Sequence, residues 1–152
     1  MKIVFHLGWV SPKDAGKRAF RDIQIRELFR GYCERISKFS PCAQESLSGL
    51  AFPVPSGEQV WLCHRGPGAK ILSSEDLSAS LARAQNEGTR VLRVLIGGAD
   101  GFSPQEIRRL EPRLLWSFGP LTLPHELAAV VAAEQMYRAW TILRRLPYHL
   151  GH

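Results

Sequence analysis

Cysteine is scarce in this chain of 152 residues: three, at positions 33, 42 and 63, an odd number without regular spacing. Neither a disulfide framework nor a zinc ligand set can be drawn from them. Cys63-His64 sets two metal-ligating types side by side, but no companion pair lies at a metal site's spacing. The expectation is a structural thiol beside a surface histidine, and no bound metal. Long apolar runs are missing as well. No stretch reaches the ~18 residues that a membrane-spanning helix needs. Met1 to Val10 is apolar, yet His6 and Gly8 interrupt it and no small-residue cleavage site follows. It reads as a strand and not as a signal peptide. These absences point to a reducing cytoplasm and to no membrane partner. Repeats and low-complexity tracts are absent too, and 45% hydrophobic content with 22% charge describes an ordinary globular chain. Residues 1–152 have the length of a single compact domain. Acid is in deficit, 14 Asp and Glu against 20 Lys and Arg, for a net charge of +6. That excess suits a polyanionic partner such as nucleic acid, or simply a basic enzyme.

What is present alternates between strand and helix. Lys2 to Leu7 is β-branched and aromatic enough for a first strand, closed by Gly8 and Pro12. From Lys13 to Lys38 the spacing is helical, with Phe20, Ile23, Leu28 and Tyr32 on one face and Arg18, Arg21, Arg26, Arg30 and Arg35 among them. That charge run reads as a solvated face or an RNA-contacting one. Ser40 to Gly57 carries three prolines and reads as a degenerate strand near Cys42 to Leu47 followed by loop. Val60 to His64 is a short strand. Ser73 caps a helix that ends at Gly88, with acids in its first turn. Val91 to Ile96 is the continuous apolar strand of a parallel-sheet interior. Ser103-Pro104 opens a short helix. Leu114 to Phe118 and Leu121 to Leu123 read as two more short strands, and Glu126 to Arg145 as the longest helix, halted by Pro147. The fold class is α/β, a mostly parallel sheet flanked by helices.

Four places can carry chemistry. The first strand-to-glycine junction, Ile96-Gly97-Gly98-Ala99-Asp100-Gly101, lies where open α/β sheets bind ligands, beyond a strand's carboxyl end. It lacks the Gly-Lys-Ser/Thr of a phosphate loop, and by itself it is equally a tight turn. The second is Gly119-Pro120-Leu121-Thr122-Leu123-Pro124-His125, stiffened by two prolines. His125 stands at a helix start, where its imidazole can fix the loop or join the chemistry, and the structural role is preferred. The third is the helix itself. Leu127 to Ala133 is apolar all round, which in so small a protein implies a second chain over one face and hence a homodimer. Glu134 and Arg138 stand at i,i+4 and read as a structural pair. The fourth is Arg144 to His152, where Tyr148 and His149 beside two arginines offer a base-stacking ring and cations for phosphate. The plain alternative is a frayed terminus.

Leu95 to Gly101, Leu121 to His125, Glu134-Gln135-Met136-Tyr137-Arg138-Ala139-Trp140 and Tyr148-His149, in this order, resemble the ribosomal RNA large subunit methyltransferase H family. Ser73-Ser74-Glu75-Asp76-Leu77 is similar to the family's helix start. The resemblance implies the SPOUT type of α/β fold, with a C-terminal trefoil knot and a cofactor pocket in residues 90–152. It also implies a homodimer that methylates N3 of a pseudouridine in helix 69 of 23S ribosomal RNA, using S-adenosylmethionine. Carried onto this chain, the cofactor meets Gly97, Gly98 and Gly101, the loop Pro120, Leu121, Thr122, Leu123, Pro124 and His125, and Leu62 at the third strand. Tyr148 and His149 position the target base or accept its proton. The chain departs from the family pattern at Cys63-His64, at the longer Gly66 to Lys70 stretch and at Leu150. Two further expectations therefore stand beside the first: a catalytically silent SPOUT-fold module that binds RNA or ribosomes, and a methyltransferase with another RNA target.

Overall fold

The computed structural model describes residues 1–11, 13, 19–48 and 50–150. Pro12, Arg18 and the last two residues, Gly151 and His152, lie outside the described residues, and so does part of the expected first helix.

Six strands form one sheet: β1 (Lys2–Leu7), β2 (Cys42–Ser46), β3 (Glu58–Cys63), β4 (Lys70–Ile71), β5 (Val91–Ile96) and β6 (Leu114–Ser117). Their spatial order is β2-β1-β5-β3-β6-β4, and every pairing is parallel. Among the described residues four α-helices accompany them: α1 (Ile23–Ile36), α2 (Ser74–Asn86), α3 (Pro104–Leu110) and α4 (His125–Leu143), with a 3-10 turn at Pro147–His149.

Alternation along the strands divides the core in two. Ile3, Phe5, Leu7, Leu92, Val94, Ile96 and Trp61 meet α1, α2 and α4 on one face. Val60, Leu62 and Leu95 meet Phe102 and Leu110 on the other. The second face has the single short helix α3, and the proline-rich stretch after β2 supplies the rest of its cover. Leu47, Leu50, Phe52 and Val54 pack there. A parallel crossover is ordinarily helical; here loop residues do the work.

Beneath that crossover runs a polar chain. His6 on β1 is buried, donates from Nδ1 to the Ser46 carbonyl at 3.1 Å and accepts at Nε2 from Arg93 at 3.1 Å. Arg93 then pairs with Glu58 at 2.6 Å. Because a guanidinium can only donate, the imidazole is neutral with its proton on Nδ1.

Local rules set the helix ends. Ser73 caps α2 by accepting from the Asp76 amide at 3.0 Å, and Ser103 with Glu106 forms a reciprocal capping box on α3. The first helix is shorter than the periodicity predicts. Asp22 accepts from the amides of Gln24 and Ile25, which starts α1 at Ile23, and Phe20 enters the core from outside the helix. The expected strand at Leu121 to Leu123 is instead loop. Prolines at 120 and 124 bracket it and remove ladder donors. Edge strand β4, not foreseen, follows the glycines at 66 and 68.

Burial lowers the pKa of His6 from 6.5, and the Arg93 charge adds to this against the Ser46 bond. The unfolded chain thus binds more protons than the folded one as pH falls through 6.5, and stability drops with acidification. Urea midpoints measured between pH 7.5 and 5.5 should fall for the natural chain and change less for His6→Gln. Parallel slopes for the two would contradict this account.

Candidate functional site

β3, β5 and β6 end side by side, Cys63 in register with Ile96 and with Trp116. Beyond those ends opens a cleft of about 730 Å³. Its walls are three connections: His64 to Gly66 after β3, Gly97 to Phe102 after β5, and Phe118 to His125 after β6. Phe102, Trp116 and Phe118 give it an apolar floor, with Trp116 and Phe118 edge to face at 4.8 Å. The size falls within the range of small-molecule sites.

Two backbone approaches keep the cleft open. A Cβ on Gly97 would lie 3.0 Å from the Gly101 Cα and 3.1 Å from the Phe102 ring, so any other residue there requires the turn to give by a few tenths of an ångström. A Cβ on Gly8 would lie 3.1 Å from the Ile96 carbonyl oxygen and 3.2 Å from the Gly98 amide. Gly8 thus fixes the other side of the same strand end, a role that the sequence pattern did not reveal. By contrast, a Cβ on Gly98 meets nothing nearer than Trp9 Cβ at 3.8 Å. On the third wall Gly119 has φ +100°, which favours glycine, and its amide donates to the Ser117 hydroxyl at 3.1 Å.

The third wall is braced from β1. The Trp9 ring sits 4.5 Å from that of His125 and 6.1 Å from Phe20, and its indole N–H donates to the Ala19 carbonyl. His125 begins α4 without a side-chain cap above it, since Pro124 holds the cap position. Arg65 reaches across from the first wall and donates to the Thr122 hydroxyl. Burial pushes the Cys63 thiol upward, which favours its neutral form on the cleft wall.

Of the residues foreseen for the cofactor, Gly97, Gly98, Gly101, Leu121, Thr122, Leu123, Pro124 and His125 line this cleft together. Leu62 does not: it is fully buried in the second core, and its neighbour Cys63 takes the wall position. Pro120 is exposed and outside the lining. His64, read from the sequence as a surface histidine, and Arg65, which the sequence reading did not single out, both line the cleft. The departure from the family pattern at Cys63-His64 was the available signal.

Tyr148 and His149 lie elsewhere. The Tyr148 ring packs on Tyr137 at 4.7 Å, under the Arg138 guanidinium at 4.7 Å, and its hydroxyl donates to Glu134 at 3.0 Å. Glu134 and Arg138 are paired at 2.6 Å, as their spacing implies. His149 faces Glu75 on α2 at 2.8 Å and Arg138 at 3.4 Å. At 1.5 Å per helical residue, the step from the start of α4 to Glu134 and Arg138 is about 15–20 Å. The pair therefore does not share a cleft with the glycines of its own chain. Burial and bonds to Tyr32 and Glu134 push the Tyr148 hydroxyl upward from its ordinary range. Among the described residues no group of three His, Cys, Asp or Glu is placed to hold a metal ion, and no helix is long and apolar enough to cross a membrane.

A parallel α/β sheet with a glycine- and proline-walled crevice at its strand ends defines a small-ligand-binding domain of the open-sheet class. The sequence model of the predicted SPOUT methyltransferase family matches residues 53–149. The ribosomal RNA large subunit methyltransferase H of Pseudomonas syringae pv. syringae is 44% identical over 93% of this chain and 88% of its own. That of Methylocella silvestris is 41% identical over 70% of this chain, and the match spans 64% of the relative. A methyltransferase from Legionella pneumophila, Lpg2936, solved with bound SAM, overlays with a TM-score of 0.47 at 16% identity, covering 91% of this chain and 66% of its own. The chain belongs to the SPOUT methyltransferase family and, within it, to the ribosomal RNA large subunit methyltransferase H group.

The two glycines of the β5 turn make opposite predictions. Gly97→Ala forces backbone apart and should cost about 1–3 kcal/mol, whereas Gly98→Ala should leave the urea midpoint nearly unchanged. Equal effects would mean that the turn is not packed as described.

Proposed function

We propose that this chain is an S-adenosylmethionine-dependent methyltransferase of 23S ribosomal RNA, acting in the cytoplasm on N3 of a pseudouridine in helix 69. The proposal includes a single knotted domain over residues 1–152 and a homodimer. The observation that carries it is the convergence of Gly97 to Gly101 and Gly119 to His125 on one cleft. The residues fit the donor: an open backbone at Gly98, an apolar floor for a purine, and a cation and a carboxylate, Arg65 and Asp100, on the walls.

When bound, the donor supplies a methyl group on a sulfonium that is already a good leaving group. The protein's task is then alignment and exclusion of water. Phe102, Trp116 and Phe118 keep the floor dry. The rigid 119–124 loop presents backbone groups at little ordering cost. The attacking imide nitrogen must lose its proton, and His149 is the candidate acceptor because a neutral imidazole keeps one ring nitrogen with a lone pair to receive it. To act so, its Nδ1 must be released from Arg138. Tyr148, whose hydroxyl donates to Glu134, positions the base.

The separation along α4 favours a shared site, in which Tyr148 and His149 of one copy serve the cleft of the other. Exposed apolar residues support a second copy: Ile23 at 64% and Leu28 at 53% on α1, and Leu127 at 38% on α4. The same separation is what favours the second reading, a silent RNA-binding module.

Incubating the protein and labelled donor with ribosomes lacking the modification separates the two. Label should appear in helix 69; none at all supports the silent module, and label elsewhere a different RNA target. His149→Ala should slow methylation by about 100-fold or more with donor affinity unchanged, and an unaltered rate would remove it from the chemistry. Mixing His149→Ala chains with cleft-blocked Gly98→Val chains should regenerate activity, and failure to do so would refute the shared site.

A further inference from the structure

Arg65 holds an unusual position. It extends from the β3–β4 connection, one wall of the cleft, and donates to Thr122 on the opposite wall, 57 residues away. Its partner is a neutral hydroxyl. Among the described residues no carboxylate pairs with it, and it is the one Lys or Arg on the cleft lining, as Asp100 is the one Asp or Glu. A guanidinium has five N–H donors, and the Thr122 bond employs one of them.

The donor is itself mostly cationic, with a sulfonium and an ammonium against a single carboxylate. A permanent positive charge on the wall would repel it unless that charge meets the carboxylate. Arginine suits the task, because its planar fork matches a carboxylate bidentately. The bond to Thr122 holds the side chain over the cleft in advance and reduces what must be ordered on binding.

Resting on the reading that this cleft binds S-adenosylmethionine, we infer that Arg65 recognises the carboxylate of the donor's amino-acid tail, with Thr122 orienting it. The cleft thereby selects a methyl donor carrying an intact amino acid. Arg65 touches the tail and not the transferred methyl, so its contribution is the same in the ground and transition states. It belongs in the donor KM and not in kcat. The reaction product keeps the same carboxylate and should depend on Arg65 equally.

Calorimetry on the full chain tests this, with S-adenosylmethionine and its decarboxylated analogue as the two probes. The natural protein should prefer the intact donor by about 10- to 100-fold, the range for a hydrogen bond to a charged group. Arg65→Ala should lose affinity for the intact donor by a similar factor and bind the two probes nearly equally, and Arg65→Lys should recover part of the preference. Unchanged donor affinity in Arg65→Ala, or equal weakening of both probes, overturns the inference. So does a loss confined to ribosomal RNA affinity, which would make Arg65 an RNA contact. If the natural protein binds neither probe, the donor reading itself fails and the inference falls with it.

Discussion

The cleft is bordered by two close backbone approaches, each made at a glycine. At Gly97 the turn after β5 returns to within contact of its own backbone, and at Gly8 the end of β1 presses on the Ile96 carbonyl and the Gly98 amide. A side chain at either place crowds backbone that borders the crevice, which must give by a few tenths of an ångström. The rest of the architecture serves that approach. β5 lies inside the sheet, flanked by β1 and β3, with apolar cores on both faces, so its carboxyl end cannot drift. Trp9 carries the same rigidity to the opposite wall through His125. Function here depends on backbone shape first and on side-chain chemistry second.

The two faces of the sheet are built by different means. One is a conventional layer, with α1, α2 and α4 covering a continuous apolar surface. The other combines one short helix, a proline-rich crossover and a buried polar chain from Ser46 through His6 and Arg93 to Glu58. A buried ion pair is weak evidence for net stability, because its desolvation offsets its attraction. Its effect here is directional: it ties β2, β1, β5 and β3 together beneath residues that contribute no helix of their own.

Much of this was legible in the residues. Val91 to Ile96 followed by two glycines announced a buried parallel strand emptying into a glycine turn, which lines the cleft, and Ser73 and Ser103 announced helix starts through ordinary capping. Other parts obeyed forces that a linear pattern does not carry. Leu121 to Leu123 reads as a strand because it is apolar, yet Leu121 is 69% exposed: its hydrophobicity belongs to a cleft wall. Cys63 reads as a structural thiol and His64 as a surface histidine because neither has a metal-site companion, while their position at a strand end puts them beside the cleft. Leu62 and Cys63 differ by one step of a strand, enough to turn one into the core and the other onto the wall. Tyr148 and His149 were recognisable by residue type, but spacing along the chain did not show that they pack on α4 away from the cleft lining.

The central claim is that two separated backbone segments form one donor site. Titrating uniformly nitrogen-15-labelled protein with S-adenosylmethionine, and following each backbone amide by NMR, tests it most directly. The account predicts that amides from Gly97 to Gly101 and from Gly119 to His125 shift together along a single saturation curve. Shifts confined to one segment, shifts centred elsewhere on the sheet, or no response at saturating donor would contradict it.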